Sequence, residues 1–272
     1  MDIFWFTIII FFLVGILFNF ISSIVGIGGG VLNVAFFTIF ISLPINIAID
    51  TSTFVILISS SVGFISYLKQ KRTNLKLSLI YSLFSILGSF ISTIIFSFFI
   101  LDNYMLKIIF ATVLLLTSVN MMNKAYRTKK KQNLNETPID STNENYDLNL
   151  SSKKKELKKG IPLFMLAGFL ANLIGIGGGV VNVPSLNIVL GYPIHNATAI
   201  SISIIFFTAI VNTIIKSIYG HIEYLIGLFL GSGTIVGALV GSSISKKIPR
   251  FYLQLIVAVV LIILAINMYI PR

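Results

Sequence analysis

The amino-acid sequence predicts an all-α integral membrane protein of about eight helical elements, arranged as two homologous four-element repeats. Three observations carry that prediction. The 272 residues are 56% hydrophobic and only 11% charged, a balance that soluble domains do not need. The apolar residues gather into runs long enough to span a bilayer. Lastly, the stretch GIGGGV occurs twice, at Gly26–Val31 and Gly175–Val180, each time interrupting a long apolar stretch.

The first element, Ile3–Val25 continued by Val31–Leu43, is apolar on both sides of its glycines and reads as one element broken at GIGGG. Its start, MDIFWFTIII, carries no basic n-region and no small-residue cleavage site, so it is expected to remain as a helix rather than be removed as a signal peptide. Three unbroken runs follow at Ile47–Leu68, Leu75–Leu101 and Tyr104–Met122. The second set has the same plan: Ile161–Ile174 continued by Val180–Leu190, then Ala197–Ile218, Tyr224–Ile244 and Phe251–Ile270.

The two sets align at a constant offset of 149 residues. Asn33-Val34 returns as Asn182-Val183, Pro44-Ile45 as Pro193-Ile194, Ala48 as Ala197, Ser52 as Ser201 and Gly88 as Gly237. Apolar composition alone produces Ile and Leu coincidences, but not aligned Gly, Asn and Pro. Transporter folds are commonly built from such internal repeats. Residues 1–122 are therefore read as membrane repeat one and 160–272 as membrane repeat two. Residues 123–159, rich in Asn, Lys, Glu and Ser, cannot bury a core and are expected to form a flexible basic loop.

The net charge of +11 comes from Lys and Arg placed almost wholly between apolar segments. There they mark the cytoplasmic face of a cell-membrane protein rather than a nucleic-acid surface. If each broken element crosses the membrane, the halves run parallel and the basic residues divide 16 to 3 between the faces, with Lys216 on the richer side. If each enters and returns, the halves are inverted and the division is 17 to 2, with Lys216 on the poorer side. The difference favours re-entry slightly, and both arrangements put loop 123–159 in the cytoplasm.

Cysteine is absent and histidine occurs only as His195 and His221, so thiolate chemistry is excluded and no metal or cofactor site is expected. Both histidines are read as interfacial, and Lys107 as snorkelling to a headgroup. Intramembrane hydrolysis would want a Ser/His dyad, paired Asp residues or a zinc HExxH. None stands in a suitable segment, so the chain is not read as an enzyme.

Interrupted helix is tolerated in hydrocarbon only where protein or a water-filled cavity surrounds it. The helix that restarts at Val31 or Val180 presents unpaired N–H groups at the positive end of its dipole. That makes an anion site without any charged side chain. Gly28, Gly29, Gly30, Gly177, Gly178 and Gly179 are the candidate backbone ligands, with the Asn33 and Asn182 amides in the first turn of each restarted helix. A nucleotide loop is disfavoured, because no strand–helix unit surrounds GIGGG. Close helix packing through GxxxG is the competing reading. It suits Gly233, Gly237 and Gly241 better than consecutive glycines.

GIGGGVLNVA and GIGGGVVNVP resemble the paired glycine signatures of the TauE/SafE family of sulfite-exporter-like membrane proteins. The signature is a GGG run with Pro after four intervening residues. Gly177, Gly178, Gly179 and Pro184 fit it fully, whereas the first copy has Ala35 in place of Pro. A Gly/Ala-Thr-Ser run opening the next helix is matched in part by Asp50-Thr51-Ser52 and Ala199-Ile200-Ser201. The resemblance covers both halves and implies a small anionic substrate, typically sulfite or an organosulfonate, and about eight helical elements.

Ser52 and Ser201 occupy equivalent places and are candidate substrate contacts, against the alternative that they bond their own helix backbone. Asp50 is the fourth residue of its segment, Ile47–Leu68, in the first set. It is a candidate coupling acid, the alternative being a hydrated carboxylate near the membrane face. The function expected is secondary transport, export of a small anion bound near the midplane between the two breaks. An anion channel and a non-transporting membrane subunit are the alternatives, and a homodimer stays open.

Overall fold

A computed structural model of the chain describes residues 2–26, 28–98, 102–133, 154–219, 222–244 and 250–269. Among them every regular element is helical: α1 (Asp2–Val25), α2 (Gly30–Ile39), α3 (Ile45–Lys69), α4 (Leu75–Phe98), α5 (Asn103–Asn133), α6 (Lys154–Ile174), α7 (Gly179–Pro184), α8 (Ile194–Tyr219), α9 (Tyr224–Ile244) and α10 (Arg250–Tyr269). Five spans within α1, α3, α4, α8 and α9 are long and apolar enough to cross a membrane; Gly30–Ile39, Tyr104–Leu116 and Gly160–Ile174 are shorter apolar helices. Leu13, Leu17, Leu83, Leu87, Leu116 and Ile263 point outward, as lipid-facing side chains do.

The helices pair where small residues let backbones approach. α1 lies along α9: Gly233 meets Phe12 and Ile16, Gly237 meets Ile16 and Phe20, and Gly241 meets Phe20 and Ser23. Both residue numbers rise together, so the two helices run parallel. α4 and α6 also run parallel, with Gly88 against Met165 and Phe169 and Asn172 Nδ2 donating to Thr93 Oγ1 at 2.9 Å. At the centre α3 and α8 are antiparallel. Asp50 meets Lys216, Phe64 stacks on Phe206, and Arg72 donates to the carbonyl of His195.

One consequence follows for α2. α3 runs parallel to α9, since Phe54 meets Gly227 and Gln70 reaches Ser242. α1 and α3 therefore run the same way, and α2 between them must double back. Ten residues at 1.5 Å rise give it about 15 Å, half the thickness of a hydrocarbon core. α6 parallels α4, which runs back after the turn at 70–74 and packs on α6 and α8. α6 thus runs with α8, and α7 doubles back in its turn.

Two regions differ from the sequence expectation. Stretch 123–159 is not wholly a loop: α5 continues to Asn133 and α6 starts at Lys154, because Lys, Arg, Ala, Glu and Leu are good helix formers. The remaining part of that stretch, and His221, lie outside the described residues. Lys216 is not a loop charge either. It sits in α8 and is buried.

Candidate functional site

The α1–α2 and α6–α7 breaks meet in the interior of the helix bundle. Gly26, Gly28 and Gly29 have φ of 82°, 90° and 76°, and Gly175, Gly177 and Gly178 have 69°, 74° and 76°, a region that only glycine enters freely. The two breaks also touch: a Cβ on Gly30 would strike the carbonyl oxygen of Gly175 and come within 2.9 Å of the Ile176 Cα. Ile205 of α8 contacts both Gly28 and Gly177, so α8 closes the floor between them.

Breaking a helix frees carbonyls as well as N–H groups. Ser52 Oγ donates to Gly175 O at 3.0 Å and to Gly30 O at 3.3 Å. Ser201 Oγ donates to Gly26 O at 3.2 Å. Each hydroxyl thus spends its proton on a carbonyl, and each α3 or α8 serine serves the break of the other half. In this structure the hydroxyls of Ser52 and Ser201, the expected substrate contacts, are committed to carbonyls freed at the ends of α1 and α6.

Asn33 and Asn182 are different. They are 2% and 1% exposed, and the Oδ1 atom of each is buried without a hydrogen-bond partner. Their backbone N–H groups close the first turns on Gly29 O at 3.1 Å and Gly178 O at 2.9 Å. A buried polar atom left unpaired costs about 1–3 kcal/mol, and these two stand at equivalent places in the two breaks. An amide rotated about χ2 presents Nδ2 where Oδ1 stood, offering a donor instead of an acceptor. Neither Gly29 nor Gly178 supplies a side-chain cap.

The breaks are not identical downstream. α2 is regular for ten residues, whereas α7 ends at Pro184 and passes into a π-helical turn, Ser185–Val189. Proline lacks the N–H for the helical ladder and crowds the preceding turn, and the bonding moves one residue on, with Leu190 N–H donating to Ser185 O at 3.0 Å. At the matching place Ala35 keeps its N–H, and α2 stays regular.

Beside the second break lies a cluster that sequence reasoning divided wrongly. Asp50 is not merely an acid near the membrane face. Its Oδ1 is 2.9 Å from Lys216 Nζ, with the two side chains 15% and 8% exposed. Lys216 also donates to Thr53 Oγ1 at 3.0 Å and to Asn172 O at 3.5 Å. At the opposite end of α3, Arg72 stacks over Tyr67 at 5.0 Å and donates to Gln70 and His195. Burial draws its guanidinium below the ordinary value, with Tyr67 opposing that shift. The only sequence signal for Lys216 was that its apolar segment runs on past it to Ile218.

Helices long enough to span a bilayer, packed through glycines around two helix breaks, define a polytopic helical membrane protein. The chain belongs to the Sulfite exporter TauE/SafE family, which it matches over residues 11–268. It is 27% identical over 266 residues to the probable membrane transporter protein YunE of Bacillus subtilis, covering 94% of this chain and 95% of that one. It is 29% identical over 276 residues to the probable membrane transporter protein MJ0441 of Methanocaldococcus jannaschii, covering 96% and 93%. No solved structure matches the chain. It is accordingly a member of a family of membrane transporters.

Proposed function

We propose that the chain is a secondary transporter exporting a small anion, such as sulfite or an organosulfonate, bound near the midplane where the two glycine breaks meet. The observation that carries this reading is the meeting of the two breaks, where Gly30 packs on Gly175 and the buried Asn33 and Asn182 stand in the first turns of the two restarted helices. Backbone N–H groups at Gly28, Gly29 and Gly30, and at Gly177, Gly178 and Gly179, would complete the anion's shell. In the same reading the halves are an inverted repeat. The antiparallel α3–α8 pair and the reciprocal bonds Ser52 to Gly175 and Ser201 to Gly26 are what a two-fold relation in the membrane plane would produce. Alternating access then amounts to rocking of one half against the other about a fixed site.

Asp50 is the candidate coupling acid. Protonating it while Lys216 stays in contact would leave a buried charge uncompensated, so any proton it carries requires the pair to separate. The test is reconstitution of the purified protein into liposomes loaded with sulfite or methanesulfonate. Saturable efflux with counterflow supports a transporter. Flux that does not saturate and shows no counterflow supports a channel, and absence of flux with no stabilisation by any anion overturns both.

A further inference from the structure

The cluster around Lys216 has an image in the other half of the chain, and at the three matching positions the image has no ionic side chain, though Arg72 stacks over its tyrosine. Shifted by the repeat offset, Lys216 corresponds to Tyr67, Asp50 to Ala199 and Thr53 to Ile202. Tyr67, Ala199 and Ile202 form a buried cluster of their own. The correspondence extends to the bonds. Tyr67 donates its hydroxyl to Ser23 O at 2.9 Å, and Lys216 donates to Asn172 O, the matching carbonyl in the last turn before the second break. The same framework is therefore closed once by a tyrosine between apolar side chains, with Arg72 over its ring, and once with an ion pair.

Packing gives no reason for the ion pair. Removing two charges from water costs several kcal/mol per ion, and a well-packed apolar set of similar volume is often as stable or more so. The Tyr67 cluster demonstrates that this framework accepts such a set. Around the pair, moreover, the polar inventory does not close. Asn172 Oδ1, Asn212 Oδ1 and Thr213 Oγ1 are buried without hydrogen-bond partners, and Asn212 lies one turn before Lys216 on the same face of α8. That face continues through Ala209 to Ile205, which touches both glycine breaks. On α3, Asp50 and Thr53 are flanked by Ile49, against which Gly175 packs.

We infer that Lys216 is a substrate-contacting residue and that Asp50 is its internal counter-ion, a carboxylate held where the transported anion's charged group binds in turn. This rests on the anion-transport reading above and names a further residue of that site. An arriving sulfonate or sulfite oxygen takes the Lys216 ammonium, while Asn172 keeps its amide N–H on Ser89 and Thr93. Asp50 is released as the anion arrives, so the lysine is never buried without a partner.

The experiment is a set of anion titrations of the purified full-length protein in detergent, read by thermal shift with sulfite and with methanesulfonate. The variants are Asp50→Asn, Lys216→Gln and the double substitution. A counter-ion that competes with the substrate predicts opposite effects: Asp50→Asn tightens anion binding about tenfold, and Lys216→Gln weakens it by tenfold or more. The double variant binds as poorly as Lys216→Gln. A purely structural ion pair predicts that both single changes lower the melting temperature and weaken binding alike, and that the double variant regains wild-type affinity; that result overturns the inference. Should a single variant not fold, the double variant, which leaves no lone buried charge, decides by itself. A loss of tenfold or more supports the inference, and wild-type affinity overturns it. If no anion stabilises the wild type, the transport reading fails first, and with a distinct signature.

Discussion

At the scale of single residues, the polar side chains around the breaks divide into those whose hydrogen bonds are made and those whose bonds are open. Ser52 and Ser201 belong to the first group. Replacing either by Ala leaves a buried carbonyl at Gly175 or Gly26 without its hydroxyl donor, which costs about 1–3 kcal/mol. Thermal unfolding in detergent should record that loss, while the anion affinity of the folded protein stays within about twofold of wild type. Asn33 and Asn182 belong to the second group, and the opposite pattern is expected. A hydrogen bond to a charged partner contributes about 1.5–3 kcal/mol. Asn33→Ala or Asn182→Ala should therefore weaken anion-induced stabilisation by about ten- to a hundredfold with little change in the melting temperature of the anion-free protein. A double Asn33→Ala, Asn182→Ala variant that binds and transports normally would remove both amides from the site.

Elements add constraints that no single side chain carries. The restarted helix α2 begins at a glycine set against the carbonyl of Gly175, and neither backbone has a flexible end that could give way. Gly30→Ala should destabilise the fold by about 3 kcal/mol, the upper end of what overpacking costs, and depress the melting temperature well below that of the Ser52→Ala variant. α7 presents the reverse case. Its π-helical turn begins where Pro184 withdraws an N–H, and a helix-interior proline is about 3 kcal/mol worse than Ala. Pro184→Ala should raise the melting temperature; a value at or below wild type would mean that packing against α6 and α8, rather than the proline, holds the irregular turn.

For the whole molecule the decisive quantity is the direction of each helix. With α2 and α7 doubling back, the turns after α4 and α8 fall on the membrane face opposite to loop 123–159. The chain has no cysteine, so single cysteines report cleanly. Ser141→Cys should react with a membrane-impermeant maleimide only from the cytoplasmic side, and Asp102→Cys and Glu223→Cys only from outside. Labelling of Glu223→Cys from the cytoplasm would return the halves to a parallel arrangement.

What the sequence determined by itself is what local chemistry and periodic self-similarity encode. Apolar run length sets where the helices lie, since a bilayer admits no unsatisfied backbone. Gly26, Gly28 and Gly29, and Gly175, Gly177 and Gly178, set where α1 and α6 end and α2 and α7 restart, since only glycine enters those backbone angles freely. The glycine signature carried the family. Tertiary structure alone decided which groups face one another. Charge counts of 17 to 2 and 16 to 3 could not separate re-entry from crossing, and the parallel course of α1, α3 and α9 is visible only in the packed helices. The acceptors of Ser52 and Ser201 lie 123 and 175 residues away, beyond the reach of any local pattern. Lys216 looked like a topology charge because a lone lysine near the end of an apolar run carries no mark of its partner. Asp50 lies 166 residues earlier in the chain, and only the antiparallel packing of α3 on α8 brings the two charges into one buried place.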